Sequence, residues 1–124
     1  MYPVGLINTA LTVIIDEPGA PIDLREIKTF DQDRVYPKIH WKEPGNGGSP
    51  IVKYIVEFKP VGIPWSKATK EYVNLTVYLM NKIKPGRSYD VRVVAKNKVG
   101  KSSPSNNLAV KYSKYIVWFC YICS

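Results

Sequence analysis

Cysteine, histidine and long apolar segments are all scarce in this chain of 124 residues. The two cysteines, Cys120 and Cys123, lie near the C-terminus, so the body of the chain contains no disulfide framework. A Cys-x-x-Cys pair needs two further ligands to hold zinc, and His40 is the only histidine in the sequence. We therefore expect neither a metal site nor a redox function at this pair.

The sequence also lacks the common catalytic motifs. It contains no nucleophile elbow, no glycine-rich phosphate loop and no paired acidic motif. Asp31 and Asp33 are neighbours in a predicted turn, where aspartate is common because its side chain bonds to nearby backbone. We expect a protein that is not an enzyme and that binds no cofactor.

The apolar segments are too short to cross a membrane. Residues 115–123 form an uncharged apolar run of nine residues, whereas a spanning helix needs about 20. Three explanations of the run stay open: a truncated membrane segment, a buried extra strand, or sequence foreign to the domain. Residues 1–20 lack the basic start and the small-residue cleavage site of a signal peptide. We divide the chain into an N-terminal extension over 1–17, one domain over 18–112 and an apolar C-terminal tail over 113–124.

Positive charge is in excess. The 18 basic and 10 acidic residues give a formal net charge of +8, which favours contact with polyanions at short range. The basic residues are scattered and accompany no nucleic-acid-binding motif, so we expect no nucleic-acid partner. An ordinary solvated surface is the simpler explanation of the charge.

The middle of the chain alternates apolar and polar residues with the period of β-strands. In residues 52–59 the apolar set includes Tyr54 and Val56, and in residues 88–96 it includes Val91 and Val93. A third apolar face comprises Val35, Pro37, Ile39 and Trp41, and a fourth comprises Ile22 and Leu24. Turns rich in glycine, proline and asparagine separate these runs, which predicts an all-β antiparallel sandwich.

The register of residues 75–80 stays open at this point. Leu75, Val77 and Leu79 would form one face of a strand, whereas Tyr78 and Met80 would form the other. A slip of one residue exchanges the two faces, and both are apolar.

Two separated stretches resemble a known family. Trp41, Pro44 and the segment GGSPIVKYIVE over residues 47–57 resemble the B and C strands of fibronectin type III domains. The segment IKPGRSYDVRVVAKNKVGKS over residues 83–102 resembles the E–F turn, F strand and F–G loop of that family. The resemblance spans residues 18–112 and implies a seven-stranded antiparallel immunoglobulin-like β-sandwich.

The resemblance assigns roles in the core. Trp41 would fill the space between the sheets, and the Tyr89 hydroxyl would bond to backbone of the E–F turn near Ile83. Pro37 departs from the pattern, because a proline inside the B strand would lose a hydrogen bond of the ladder. The residues expected to form the structural core are Trp41, Tyr54, Val56, Ile83, Tyr89, Val91 and Val93.

The resemblance also implies a function. GGSPI together with Trp65 is similar to modules of neural immunoglobulin-superfamily adhesion molecules and to those of titin- and twitchin-like muscle proteins. Residues 8–13 and 16–21 look like the last strand of an immunoglobulin domain passing through a linker. We expect an interaction and spacer module on the outside of the cell, with adhesion or matrix proteins or a second copy as partners. The alternatives are a cytoplasmic sarcomeric module and a heparin-binding domain.

Two surface features are candidate sites. Asn74-Leu75-Thr76 is an N-glycosylation sequon, reachable if Leu75 points inward and Asn74 outward. A basic patch on one sheet could hold a sulfated glycan, although Glu57 and Asp90 on the same face would partly neutralise it. The residues of this patch are Lys53, Lys59, Arg92, Lys96, Lys98 and Lys101.

Overall fold

The computed structural model describes residues 13–27 and 36–112, and its regular structure is almost entirely β. A single turn of 3-10 helix, η1 (Trp65–Lys67), interrupts the strands between β3 and β4. The strands are β1 (Ile22–Ile27), β2 (Lys38–Lys42), β3 (Lys53–Pro60), β4 (Thr69–Val73), β5 (Val77–Leu79), β6 (Ser88–Lys96) and β7 (Leu108–Lys111).

These seven strands form two antiparallel sheets. One sheet has three strands in the order β1-β2-β5, and the other has four strands in the order β4-β3-β6-β7. The prediction of a seven-stranded antiparallel sandwich is therefore confirmed. Strands β4 and β7 were not among the strands derived from the alternation of residues.

The core lies between the sheets and is organised around Trp41. The indole is fully buried, and its ring meets the ring of Tyr54 edge-on at a centroid distance of 5.4 Å. The seven residues expected in the core are all buried, namely Trp41, Tyr54, Val56, Ile83, Tyr89, Val91 and Val93. Because β3 and β6 pair in register, Tyr54 faces Ala95 and Val56 faces Val93 across the ladder.

The alternation predicts that Val52 lies on the inward face of β3 together with Tyr54 and Val56, and this is wrong for Val52. Val52 precedes the strand, which starts at Lys53, and it is exposed. Its backbone N–H nevertheless donates a hydrogen bond to the Lys96 carbonyl (2.8 Å), so the chain is already held to β6 at this point.

Strand β1 corrects a second expectation. Ile22 and Leu24 do not share a buried face, because Ile22 is 50% exposed while Leu24 is buried. Asp23 between them has φ 59°, and the pairing with β2 shifts between Ile22 and Arg25, so the alternation of faces breaks there. The Asn106 side chain accepts a bond from Leu24 N–H and donates one to its carbonyl, both at 3.0 Å.

The structure fixes the register that residues 75–80 left open. Tyr78 lies opposite Ile39 of β2, and Met80 is fully buried, so this pair faces the core. Leu75 and Leu79 are exposed. The other register would have buried these leucines and exposed the larger aromatic ring.

The structure also answers the two questions raised about Tyr89 and Pro37: Tyr89 makes the expected hydrogen bond, and Pro37 interrupts no strand pairing. The Lys84 N–H donates a hydrogen bond to Tyr89 Oη at 2.9 Å, which ties β6 to the turn after Ile83. Pro37 lies just outside β2, so no ladder N–H is lost, and its carbonyl accepts a bond from Met80 N–H (2.8 Å).

Several expectations concern residues outside the described ranges. Val35, the Cys120–Cys123 pair, the apolar tail and residues 1–12 of the N-terminal extension lie there. From sequence, residues 9–15 look like a β-strand that runs into a hinge; of these, residues 13–15 are described, and they form no strand.

The Tyr89→Phe variant should lose about 1 kcal/mol of unfolding free energy, because the Lys84 N–H then loses its protein acceptor. Urea unfolding at pH 7 measures this loss, with the denaturant slope unchanged. Tyr72→Phe, at an exposed ring, is the matched control and should change stability by less than about 0.5 kcal/mol. Equal losses in the two variants would contradict the role of the Tyr89 hydroxyl.

Alkaline pH should destabilise the fold partly through Tyr78. Burial, and then the nearby Glu71 carboxylate, raises the pKa of Tyr78 from 10.0 to about 12. The folded state therefore keeps the proton that the unfolded state releases, so the unfolding free energy falls as pH rises from 10 to 12. Urea unfolding across this window should show a shallower fall for Tyr78→Phe than for the unchanged chain. Tyr72→Phe should leave the fall unaltered.

Candidate functional site: the N-terminal joint and the outer face of the four-stranded sheet

The chain enters the domain along a segment without regular structure that is held against the β2–β3 loop. Asp16 N–H donates to the Gly47 carbonyl at 2.8 Å, and Gly19 N–H donates to the Gly45 carbonyl at 2.9 Å. We call residues 13–21 with this loop the N-terminal joint. The segment expected to be a linker is thus fastened to the domain from Asp16 onwards.

Asn97 lies at the centre of the joint and is fully buried. Its Nδ2 donates to the carbonyls of Asp16 (2.7 Å) and Asn46 (2.8 Å), and its Oδ1 accepts from the N–H groups of Val99 (2.9 Å) and Gly100 (3.1 Å). One side chain therefore joins three segments: the entering chain, the β2–β3 loop and the β6–β7 connection. All four hydrogen-bonding positions of the amide are used.

The β2–β3 loop approaches the entering chain closely at two glycines. Gly47 has φ +72°, and a Cβ there would lie 2.3 Å from the Asp16 carbonyl oxygen. Gly48 has φ +92°, and a Cβ there would lie 3.1 Å from the Ile14 carbonyl oxygen. Both the backbone conformation and the lack of space require glycine at Gly47.

At the opposite end of the same sheet, Trp65 covers the outer face. The indole of η1 lies over two cations, with the Arg92 guanidinium carbon 4.1 Å and Lys59 Nζ 4.7 Å from its ring centroid. Lys59 is only 6% exposed although it points away from the core. We call Trp65, Lys59 and Arg92 with their acidic partners the tryptophan cluster.

The acidic partners neutralise both cations. Lys59 Nζ donates to Asp90 Oδ2 at 3.0 Å, and Arg92 Nε donates to Glu57 Oε1 at 2.7 Å. Lys70 Nζ approaches the second Glu57 oxygen at 4.0 Å. In the tryptophan cluster each cation is paired with a carboxylate beneath the indole. The cluster therefore attracts an anion only weakly.

The basic patch predicted from sequence is therefore divided. Lys59 and Arg92 belong to the tryptophan cluster, where Lys59 is buried and Arg92 is half-buried, and both are paired with the acidic residues expected to neutralise the patch. Lys53 and Lys96 are half-buried and Lys101 is exposed, and these three lie side by side across the sheet. Lys98 is exposed in the connection that follows β6.

The sequon lies between the sheets' edges, in the bend that links β4 to β5. Asn74 is exposed there, although Leu75 beside it is 67% exposed and not inward as the accessibility argument required. Because residue 74 lies in a bend and not in a strand, Asn74 and Leu75 do not alternate between two faces, and both are exposed. Modification of Asn74 stays a prediction.

Two residues of the site were not identified from sequence. Asn97 was placed in a turn, but its partners Asp16 and Asn46 are 81 and 51 positions away. Trp65 was noted for family resemblance alone. The Asn-x-x-Gly spacing of residues 97–100 is the one local signal, since the Asn97 side chain accepts from both Val99 and Gly100.

Within residues 13–27 and 36–112, no three histidine, cysteine, aspartate or glutamate side chains are grouped so that they could hold a metal ion. Over the same ranges, no helix has the length and apolarity needed to cross a membrane.

Comparison with known sequences finds both adhesion and muscle proteins. The chain is 29% identical over 109 residues to cell adhesion molecule Dscam1 of Drosophila melanogaster, covering 86% of this chain and 5% of that protein. It is 34% identical over 95 residues to neuroglian of Drosophila melanogaster, covering 75% and 7%. It is 34% identical over 101 residues to striated-muscle M-protein of Gallus gallus, covering 80% and 7%. The chain thus spans less than a tenth of each relative.

Solved structures agree on the architecture. Domains A168–A170 of titin superpose with a TM-score of 0.66 at 29% identity, covering 79% of this chain and 33% of that one. A human fourth FNIII domain, solved in solution, superposes with a TM-score of 0.68 at 27% identity, covering 83% and 85%.

The family model of the fibronectin type III domain matches residues 29–111, which include every strand from β2 to β7. Together with the two sheets, the buried Trp41 and the Tyr89 hydrogen bond, this match places the chain in one family. The chain belongs to the fibronectin type III family.

Proposed function

We propose that this chain is a non-catalytic interaction and spacer module of a cell-surface adhesion protein. The observation that carries the spacer role is the N-terminal joint, which fastens the entering chain to one end of the sandwich. The similarity to Dscam1, whose name describes a cell adhesion molecule, supports the extracellular placement.

The geometry of entry and exit suits a spacer. The entering chain is held beside Asn97, at the C-terminal end of β6. The departing chain is held at the other end, where Gly86 N–H donates to the Tyr112 carbonyl (2.8 Å). Strand β6 has nine residues, so the two points are separated by about 30 Å at the usual rise per residue. A pull along the chain would act along the strands of the sandwich.

Rigidity of the joint gives the spacer a direction. An unfastened linker would let a preceding segment sample many orientations, since linkers rich in small residues behave as flexible coils. Here hydrogen bonds at Asp16, Gly19 and Asn97 fix the path of the entering chain. Partners of such a module would be adhesion or matrix proteins or a second copy, which bind its loops and strand faces.

A cytoplasmic spacer of muscle filaments is the second candidate. The similarity to M-protein and to the titin domains favours it, and the same joint would serve there. The two candidates differ in compartment, so a modification confined to the secretory pathway separates them.

Loss of the Asn97 amide should release the entering chain. In Asn97→Ala the Asp16 and Asn46 carbonyls and the Val99 and Gly100 N–H groups lose their partner, so we expect a loss of about 2–3 kcal/mol. Hydrogen exchange of the Asp16 and Gly19 amides should accelerate much more than that of core amides.

Gly47→Ala tests the same joint without removing a hydrogen-bonding group. The added methyl would overlap the Asp16 carbonyl, so the Asp16 and Gly19 amides should again exchange faster. Asn107→Ala, at an exposed asparagine, is the control and should leave both amides protected. Protection of these amides in all three variants would show that neither the Asn97 amide nor the space at Gly47 is needed to hold the entering chain.

Occupancy of Asn74 separates the two compartments. If the protein is extracellular, peptides containing Asn74 from native tissue should carry an N-glycan, because the residue is exposed in a bend. Mass spectrometry before and after enzymatic glycan release measures this. The same chain directed into the secretory pathway, with Asn74→Gln as the unmodified reference, establishes whether the site can be used. A usable site that is empty on the native protein would favour the sarcomeric candidate.

A further inference from the structure

We propose that Lys53, Lys96 and Lys101 form a binding site for a linear sulfated polysaccharide. The three residues stand directly opposite one another across the sheet: Lys53 pairs with Lys96 in the β3–β6 ladder, and Lys96 pairs with Lys101 in an isolated bridge. We call them the lysine row. The proposal rests on the extracellular placement argued above.

The lysine row places like charges where a sheet ordinarily avoids them. Residues directly opposite in an antiparallel ladder have Cα atoms about 5 Å apart, so the row spans about 10 Å. Like charges in such positions repel and destabilise the sheet. An arrangement that costs stability in the free protein is relieved when an anion binds between the ammonium groups.

The row has no anionic partner in the described part of the chain. None of its three lysines lies within 4.0 Å of a carboxylate there, in contrast to Lys59 and Arg92 of the tryptophan cluster. The Glu17 carboxylate lies close to the connection after β6, where its Oε2 would lie 3.7 Å from a Cβ added at Gly100. It forms no salt bridge with any of the three lysines of the row.

The surroundings strengthen the field of the row. The next pair along the same outer face is Ile55 opposite Val94, and both side chains are buried. Lysine stems lie over apolar surface while their ammonium groups stay in water, which lowers the local dielectric beside the charges. Lys98, exposed in the following turn, adds a fourth cation at the same end of the sheet.

The chemistry of the row favours a sulfated polysaccharide over other polyanions. Nucleic acids are recognised by arginine forks and by aromatic rings that stack on bases, but the row contains only lysine. The one adjacent ring, Tyr72, already faces Lys53 Nζ at 4.8 Å. A membrane surface needs large apolar side chains that insert, whereas the exposed apolar neighbours are Val52 and Val99. A row about 10 Å wide is also too small for the core of a protein interface.

Binding to heparin by the whole 124-residue chain tests the proposal. The triple variant Lys53→Gln, Lys96→Gln and Lys101→Gln should bind heparin about tenfold to a hundredfold more weakly at 0.15 M salt. The slope of log Kd against log salt should fall by about two to three, because fewer counterions are exchanged. Fully desulfated heparin should bind the unchanged chain no better than it binds the triple variant.

A variant with the same net charge controls for non-specific attraction. Lys67, Lys84 and Lys111 are exposed at the far end of the sheet, so Lys67→Gln, Lys84→Gln and Lys111→Gln together remove three charges away from the row. This control should keep at least half of the heparin affinity. Thermal unfolding without ligand should show the row variant to be at least as stable as the control, since it removes repulsion.

Three outcomes would overturn the proposal. They are heparin affinities that are equal in the row variant and the control, no binding of the unchanged chain at 0.15 M salt, and tighter binding to poly-glutamate or to phosphatidylserine vesicles than to heparin. If the heparin test fails but native Asn74 carries a glycan, the lysine-row proposal is wrong and the proposed adhesion module is not affected. Heparin binding by the row with native Asn74 empty would instead count against the extracellular placement alone.

Discussion

The pairing of β3 with β6 is the constraint on which the other features depend. Eight residue pairs run from Lys53 with Lys96 to Pro60 with Tyr89, and their alternation assigns every side chain of both strands to a face. Inward pairs such as Val56 with Val93 close over Trp41, while three of the four outward pairs carry charge. A slip of one residue would exchange the faces and place lysine against the indole, so the core and the outer face are fixed together.

The parts of the fold that sequence predicts are those with one apolar face. Strand β6 was bounded correctly at Ser88 and Lys96, because polar residues alternate with a continuous apolar set. Residues 75–80 are apolar on both faces, so the register depends on tertiary contact, in which Tyr78 meets Ile39. The left-handed Asp23, which exposes Ile22, likewise has no local signal, because aspartate is common in ordinary strand ends and turns as well.

The site was predictable only where its partners are paired strands. Glu57 and Asp90 share a face with Arg92 and Lys59 through the ladder, so their neutralising effect follows from register. Trp65 comes from a connection whose path no periodicity specifies, and its position over Arg92 decides that two candidate cations are covered. Asn97 is a stronger case, because its amide bonds to residues far away in sequence and its importance appears only after the chain has folded.

The two ends of the outer face of the four-stranded sheet differ in how their cations are paired. Near Pro60, opposite charges meet beneath an indole, so attraction offsets their loss of water. Near Asn97, three lysines lie opposite one another, and none of them lies within 4.0 Å of a carboxylate in the described ranges. The second end is also the end at which the entering chain is fastened, because Lys96 is followed directly by Asn97 and Lys101 follows the same turn. The joint therefore fixes the direction of the lysine row relative to the entering chain. A flexible linker would leave that direction undefined.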